Sequence, residues 1–135
     1  MATQYTSKHG IIGKSPAELF MGFTDMRNFQ RVAPTDQKVL IEADYDTLSV
    51  TAQGFTISAK VARRIPYSLI EIIDDNAPFG FDVQLHFDDG GAGKTDFWIE
   101  VSAELNGMLK IMLGGKIKQA LDKAVDTLAE ASAKI

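Results

Sequence analysis

Residues 97–128 read FWIEVSAELNGMLKIMLGGKIKQALDKAVDTL, and the hydrophobic period changes within this stretch. Up to Leu105 apolar residues alternate with polar ones, which is typical of a β-strand with one solvated face. Beyond Asn106 they recur at spacings of three and four, which predicts a long amphipathic helix. The stripe of this helix consists of Leu109, Leu113, Ile117, Leu121, Ala124, Leu128 and Ala131. We therefore expect a sheet with one apolar face, covered by the terminal helix.

The alternating pattern extends upstream through residues 38–105. Its runs are separated by turn-forming residues such as Asp44-Tyr45-Asp46 and Pro66-Tyr67-Ser68. Short alternating runs split by such turns predict antiparallel hairpins. The apolar parity of the three clearest runs consists of Phe55, Ile57, Ala59 and Val61; Phe81, Val83, Leu85 and Phe87; and Phe97, Ile99, Val101, Ala103 and Leu105. Apart from Trp98, the alternate positions of these runs are polar, so one face of the predicted sheet is exposed to solvent.

The N-terminal part predicts one strand followed by two short helices. Residues 15–18 read SPAE, in which a serine hydroxyl accepts from free amides and a glutamate reaches back to the cap. Asp25 is placed to cap a second short helix that stops before Pro34. The predicted order is strand, two short helices, six strands and one long helix, in a single domain over residues 1–135.

Composition excludes several classes of function. The chain has 135 residues, a formal net charge of −4 and no basic run, which argues against a nucleic-acid partner. It has no cysteine, and its two histidines, His9 and His86, lack partners at metal-ligand spacing. No apolar run reaches the roughly 20 residues of a membrane span, and the N-terminus lacks a signal-peptide core. We expect a cytoplasmic protein without a metal, a cofactor or a membrane span.

Two stretches resemble a known superfamily. Residues 15–20, SPAELF, followed by Asp25, Asn28 and Pro34, are similar to the opening of the START-like superfamily, also called SRPBCC or polyketide cyclase-like, to which Bet v 1-like proteins belong. Residues 103–112, AELNGMLKIM, resemble small Bacteroidetes proteins of unassigned function. The resemblance covers essentially the whole chain. It implies an α+β helix-grip fold, in which a curved antiparallel sheet of about seven strands wraps around the C-terminal helix.

The resemblance also implies a cavity between the concave sheet face and the long helix. Related proteins use this cavity for lipids, polyketides and other apolar molecules, so we expect binding or carriage of a small apolar or amphipathic ligand. Residues at the inward parity would line it: Phe55, Ile57, Phe81, Val83, Phe97, Ile99, Val101, Leu113 and Ile117. A cyclase-like or isomerase-like enzyme using the same cavity and a protein-interaction module are the alternatives. A homodimer is left open, and no catalytic residue is assigned.

Arg63 completes the predicted ligand-binding set. It follows Val61 on the inward parity, where it would lie at the rim of the cavity and pair with a ligand carboxylate or phosphate. In the alternative, strand pairing ends near Pro66 and the arginine extends into water. His9 is placed either near the cavity or at the sheet edge. Trp98 has the polar parity, where it marks an interface or packs against neighbouring side chains.

Two glycine-rich stretches have competing interpretations. Residues 88–95 read DDGGAGKT and superficially resemble a phosphate loop, but a strand follows them, which predicts a hairpin turn. Gly114 and Gly115 fall within the predicted helix, where each glycine costs up to about 1 kcal/mol relative to alanine. They either leave space for a ligand or mark the junction between a short helical turn and the main helix.

Overall fold

The computed structural model describes residues 3–31, 39–52, 55–76 and 79–133. These residues form eight β-strands, two α-helices and one 3-10 helix. Their bounds are β1 Thr3–Thr6, β2 Gly10–Ile12, α1 Pro16–Phe23, the 3-10 helix Met26–Arg31, β3 Val39–Ala43, β4 Thr47–Ala52, β5 Phe55–Ile65, β6 Leu69–Asp74, β7 Phe81–Gly91, β8 Lys94–Ala103 and α2 Gly107–Ala133.

All eight strands belong to one antiparallel sheet. The order is β1-β8-β7-β6-β5-β4-β3, and β2 also pairs with β8. Successive strands from β3 to β8 are direct neighbours joined as hairpins, which is the simplest antiparallel connection. The predicted α+β helix-grip architecture is confirmed. The glycine-rich residues 88–95 form the tip of the β7–β8 hairpin, with positive φ at Gly91, Ala92 and Gly93.

The first predicted strand is two strands, because Ser7 interrupts the ladder between β1 and β2. The Ser7 amide donates to the carbonyl of Ile99 at 2.8 Å, and the Ser7 hydroxyl accepts from the Ile99 amide at 2.8 Å. A side-chain oxygen thus takes the place of a backbone carbonyl. The interruption changes the parity that follows, so Ile12 is fully buried and Ile11 is exposed. Simple alternation from Ser7 would have placed Ile11 inside.

The short helices begin largely as their sequences predict. Ser15 Oγ accepts from the Glu18 amide at 3.2 Å, and the Glu18 carboxylate accepts from the Ser15 amide at 3.4 Å, which completes the capping box of α1. Asp25 accepts from the Arg27 amide at 3.0 Å at the start of the second helix, which is of 3-10 type. Pro34, the predicted stop, lies outside the described residues.

The hydrophobic core lies between the inner sheet face and the helices. Phe87 and Phe97 pack side by side on neighbouring strands, with ring centroids 5.4 Å apart. Phe23 of α1 stacks on Phe97 at 5.7 Å, and Phe20 meets Phe87 edge to face at 5.8 Å. The helix α1 therefore closes one end of the sheet.

The helix α2 packs on β1, β2 and β8. Val125 in its C-terminal half is fully buried, and Leu121 and Leu128 pack partly buried against the core. The N-terminal half differs, because Met108 and Ile111 are 72% and 87% exposed. The helix runs without interruption over the glycine pair, and an added Cβ at Gly115 would meet no atom within 4 Å. The junction predicted as one alternative is therefore wrong.

Candidate ligand-binding face

Strand pairing gathers apolar side chains into rows across the inner face. Residues directly opposite each other in an antiparallel pair share a face and touch. On β7 and β8, Val83 pairs with Val101 and Leu85 pairs with Ile99. The rows continue onto β6, β5 and β4 through the pairs Val83 with Ile72, Ile72 with Val61, and Ile57 with Val50. The inner face is therefore a continuous apolar surface.

Burial divides the predicted lining residues into two groups. Phe97 and Ile99 are buried in the core. Five others keep part of their surface accessible: Ile57, Phe81, Val83, Val101 and Ile117. The side chains of Phe55 and Leu113 lie outside the part of the chain that the structure describes. The four sheet residues of this accessible group mark the portion of the inner face that the helices leave incompletely covered, and Ile117 belongs to α2.

Arg63 does not face this surface. The register of β5 against β6 shifts between Val61 and Arg63, so Ala62 is an extra bulge residue and the parity beyond it inverts. Arg63 pairs with Glu71 on the outer face, where its Nε lies 3.5 Å from Glu71 Oε1 and its side chain is 53% exposed. The prediction that Arg63 lies at the cavity rim is therefore wrong, because simple alternation does not include a bulge.

The bulge turns Arg64 to the inner side instead, and the protein itself holds its guanidinium. Arg64 Nη2 donates to the carbonyls of Thr24 at 2.8 Å and Tyr45 at 3.2 Å. Its Nη1 lies 2.8 Å from Asp46 Oδ1, and its Cζ lies 4.6 Å from the centroid of the Tyr45 ring. Arg64 thus ties the end of α1 to the β3–β4 turn.

Three aromatic rings stack on the outer face. Trp98 lies between His9 and His86, with centroid distances of 4.3 and 4.7 Å and interplanar angles of 16° and 2°. His9 Nδ1 lies 2.9 Å from Asp96 Oδ1, and His86 Nε2 lies 3.5 Å from Glu100 Oε2. His9 therefore belongs to the outer face, and the alternative that placed it near the cavity is wrong. Trp98 packs against neighbouring side chains, as one of its two predicted roles requires.

Next to this stack, a polar row crosses the outer face. Glu71 pairs with Gln84, and Gln84 pairs with Glu100. Asp82 lies beside this row, and one of its carboxylate oxygens is buried without a hydrogen-bond partner among the described residues. Burial raises the pKa of Asp82 to about 6, and the neighbouring Glu71 carboxyl adds to the rise. Sequence parity predicted polar residues here but not this partial burial.

Two grooves lie on the sheet, and the first is beside this polar row. One groove of about 250 Å³ is lined by Gln4, Tyr5, Thr6, Asp82, Gln84, Glu100, Val101 and Ser102. A second, of about 370 Å³, lies across β3, β4 and β5. Within the described ranges, no cluster of three or more histidine or carboxylate side chains is arranged to hold a metal ion.

Comparison with solved structures identifies the fold class. Norcoclaurine synthase from Thalictrum flavum matches with a TM-score of 0.70 and 10% sequence identity, covering 100% of this chain and 88% of the synthase. Ara h 8.0201 matches with a TM-score of 0.60 and 13% identity over 97% of this chain and 99% of its own. Mll3558 from Rhizobium loti matches with a TM-score of 0.61 and 14% identity over 90% of this chain and 92% of its own. At these identities the likeness concerns the fold alone.

The protein therefore has the helix-grip fold of Bet v 1-like and START-like proteins, as its sequence resemblance predicted. No family model matches the chain, and no curated protein matches it. The resemblance to Bacteroidetes proteins stays a prediction. Within the residues that the structure describes, no helix is long and apolar enough to cross a bilayer.

Proposed function

We propose that the protein binds or carries a small, mostly apolar molecule between the inner face of the sheet and α2. The partial exposure of Val83, Val101 and Ile57 carries this proposal. Removing apolar surface from water gains about 25 cal/mol per Å², so these side chains offer binding energy to an apolar ligand. The lining set is the accessible group defined above, with Phe97 and Ile99 beneath it. Phe55 and Leu113 are included by parity alone.

A neighbour of the same fold supports the choice of ligand size. Norcoclaurine synthase has been solved in complex with dopamine and hydroxybenzaldehyde, which are small aromatic molecules. The present chain shares 10% identity with that enzyme, so the comparison supports the size of the ligand and not its identity.

The charged residues of the inner face favour binding over catalysis. In the described strands, pairing places Arg64, Asp74 and Asp89 on the inner parity. The guanidinium of Arg64 is held by the protein, as described above. Asp74 Oδ1 accepts from the Phe81 amide at 3.0 Å, and Asp89 Oδ1 accepts from the Gly91 amide at 2.9 Å. Because all three side chains bond to the protein, they are not free acid–base groups, and we favour a carrier over a cyclase-like enzyme.

A space-filling variant tests the proposal. Val83→Phe adds an aromatic ring to the inner face and should weaken binding of the neutral fluorescent probe N-phenyl-1-naphthylamine roughly tenfold, because it occupies ligand volume. Gln84→Phe adds the same ring to the next residue on the outer face and serves as the control. Equal affinities for the two variants, or no probe binding by the wild-type protein, would reject the proposal. Native mass spectrometry of freshly purified protein would identify a co-purified ligand.

A further inference from the structure

The sequence of the first half of α2 is apolar on more than one face, and two of its apolar side chains, Met108 and Ile111, are exposed. Residues 107–121 read GMLKIMLGGKIKQAL. Met108 and Ile111 are three residues apart, so they are neighbours on one helix face. They are also the two most exposed large apolar side chains in the described part of the chain. A helix that is apolar all round is normally buried, so Met108 and Ile111 are apolar surface that no described residue covers.

The charges of the same segment are of one sign. Lys110, Lys116 and Lys118 lie within residues 107–121, which contain no aspartate or glutamate, although the whole chain carries a net charge of −4. The acidic residues of α2 begin at Asp122. Lys118 Nζ donates to Asp122 Oδ1 at 3.1 Å, whereas Lys110 and Lys116 are exposed and make no ion pair within the described residues. The exposed apolar face is thus accompanied by free positive charge.

We propose that this half of α2 docks onto the surface of an anionic lipid bilayer. Met108 and Ile111 enter the boundary between headgroups and acyl chains, as the apolar face of an interfacial helix does. Lys110 and Lys116 reach the anionic headgroups, because their long stems let the ammonium groups extend sideways. The proposal concerns a helix lying on the membrane and not one crossing it.

The charge of this helix segment favours an anionic membrane over a second copy of the chain as its partner. In a two-fold symmetric dimer the same patch faces itself, so the free lysines of both copies would face one another and repel. An anionic membrane instead attracts each of them. Membrane docking is independent of the ligand-binding proposal, although both proposals involve apolar contacts with α2.

Flotation of the full chain with lipid vesicles tests the docking. Wild-type protein should float with vesicles of phosphatidylcholine and phosphatidylglycerol in equal amounts, and binding should fall as salt is added. Ile111→Glu should lower the partition coefficient roughly tenfold, and Lys110→Glu combined with Lys116→Glu should lower it similarly. Met21→Glu changes a 65% exposed methionine on α1 and should leave binding unchanged.

Three results would overturn the docking proposal. The first is absence of wild-type flotation, and the second is an equal loss of vesicle binding for Ile111→Glu and Met21→Glu. The third is a wild-type dimer in light scattering that Ile111→Glu dissociates, because this result would assign the patch to a second copy of the chain. Circular dichroism verifies that each variant is folded. Binding of N-phenyl-1-naphthylamine to Ile111→Glu is measured in parallel, so that failure of docking and failure of ligand binding are distinguishable.

Discussion

At the scale of residues, the pKa of Asp82 on the outer face depends in part on the bulge in β5. Burial raises the pKa of Asp82 to about 6, the Glu71 carboxyl raises it further, and the Arg63 guanidinium acts in the opposite direction. Arg63 stands on this face because of the bulge at Ala62. A carboxyl whose pKa is higher in the folded chain than in the unfolded chain keeps its proton longer when folded. Stability is therefore lost as the pH rises from about 4 through about 6.

Replacing this carboxyl should stabilise the protein in a pH-dependent manner. Asp82→Asn removes the cost of ionising the group. Because solvent screens part of this cost, we expect the free energy of unfolding to rise by roughly 1 kcal/mol at pH 7. At pH 4 the native carboxyl is already protonated, and the gain should nearly vanish. Urea denaturation at both pH values measures the difference, with Asp88→Asn on the exposed end of the same strand as the control. Equal gains at pH 4 and pH 7 would contradict the assigned cause.

At the scale of elements, the hydrophobic period of the sequence predicts the regular strands and the long helix. The strands β3 to β8 and the helix α2 follow from side-chain alternation and spacing, because these periods belong to the backbone itself. The break at Ser7 and the bulge at Ala62 do not follow, because each is an irregularity accommodated by a partner strand. Simple alternation therefore places Ile11 and Arg63 on the wrong faces. Parity placed Val83 and Val101 correctly, but their partial exposure depends on where α2 packs.

Alanine substitutions at two glycines, one against α2 and one within it, should change the free energy of unfolding in opposite directions. An added Cβ at Gly10 would clash with Cγ1 of the fully buried Val125, so Gly10→Ala should cost about 1 to 3 kcal/mol. Gly115→Ala meets open space in a helix and should gain roughly 0.5 to 1 kcal/mol. Urea denaturation midpoints measure both changes. Destabilisation by Gly115→Ala would show that the first half of the helix is tightly packed.

At the scale of the whole molecule, the N-terminal segment bonds to α2 at Lys118, Asp122 and Asp126. The Lys8 amide donates to Asp122 Oδ1 at 2.6 Å, and the Lys8 ammonium pairs with Asp126. Lys118 Nζ donates to the carbonyl of Thr6 at 2.8 Å. The Lys8 amide and the Lys118 ammonium lower the pKa of Asp122, since both favour its ionised form. The first of these contacts is at Lys118, and among the described residues none of them involves the preceding turns of the helix.

Amide hydrogen exchange should therefore proceed at different rates in two parts of this continuous helix. Amides of residues 119–129 are covered by the core contact at Val125 and by the Lys8 contacts, whereas residues 108–117 carry the exposed Met108 and Ile111. Because local opening is easiest where few side chains are buried, peptides from 108–117 should exchange roughly tenfold faster or more. An apolar ligand under α2, or an anionic vesicle against it, should slow exchange in the first part and leave the second nearly unchanged. Mass spectrometry of peptic fragments measures both parts in one sample. Uniform exchange along the helix would mean that its first turns are already packed in the free protein, and neither partner would then have a surface to cover.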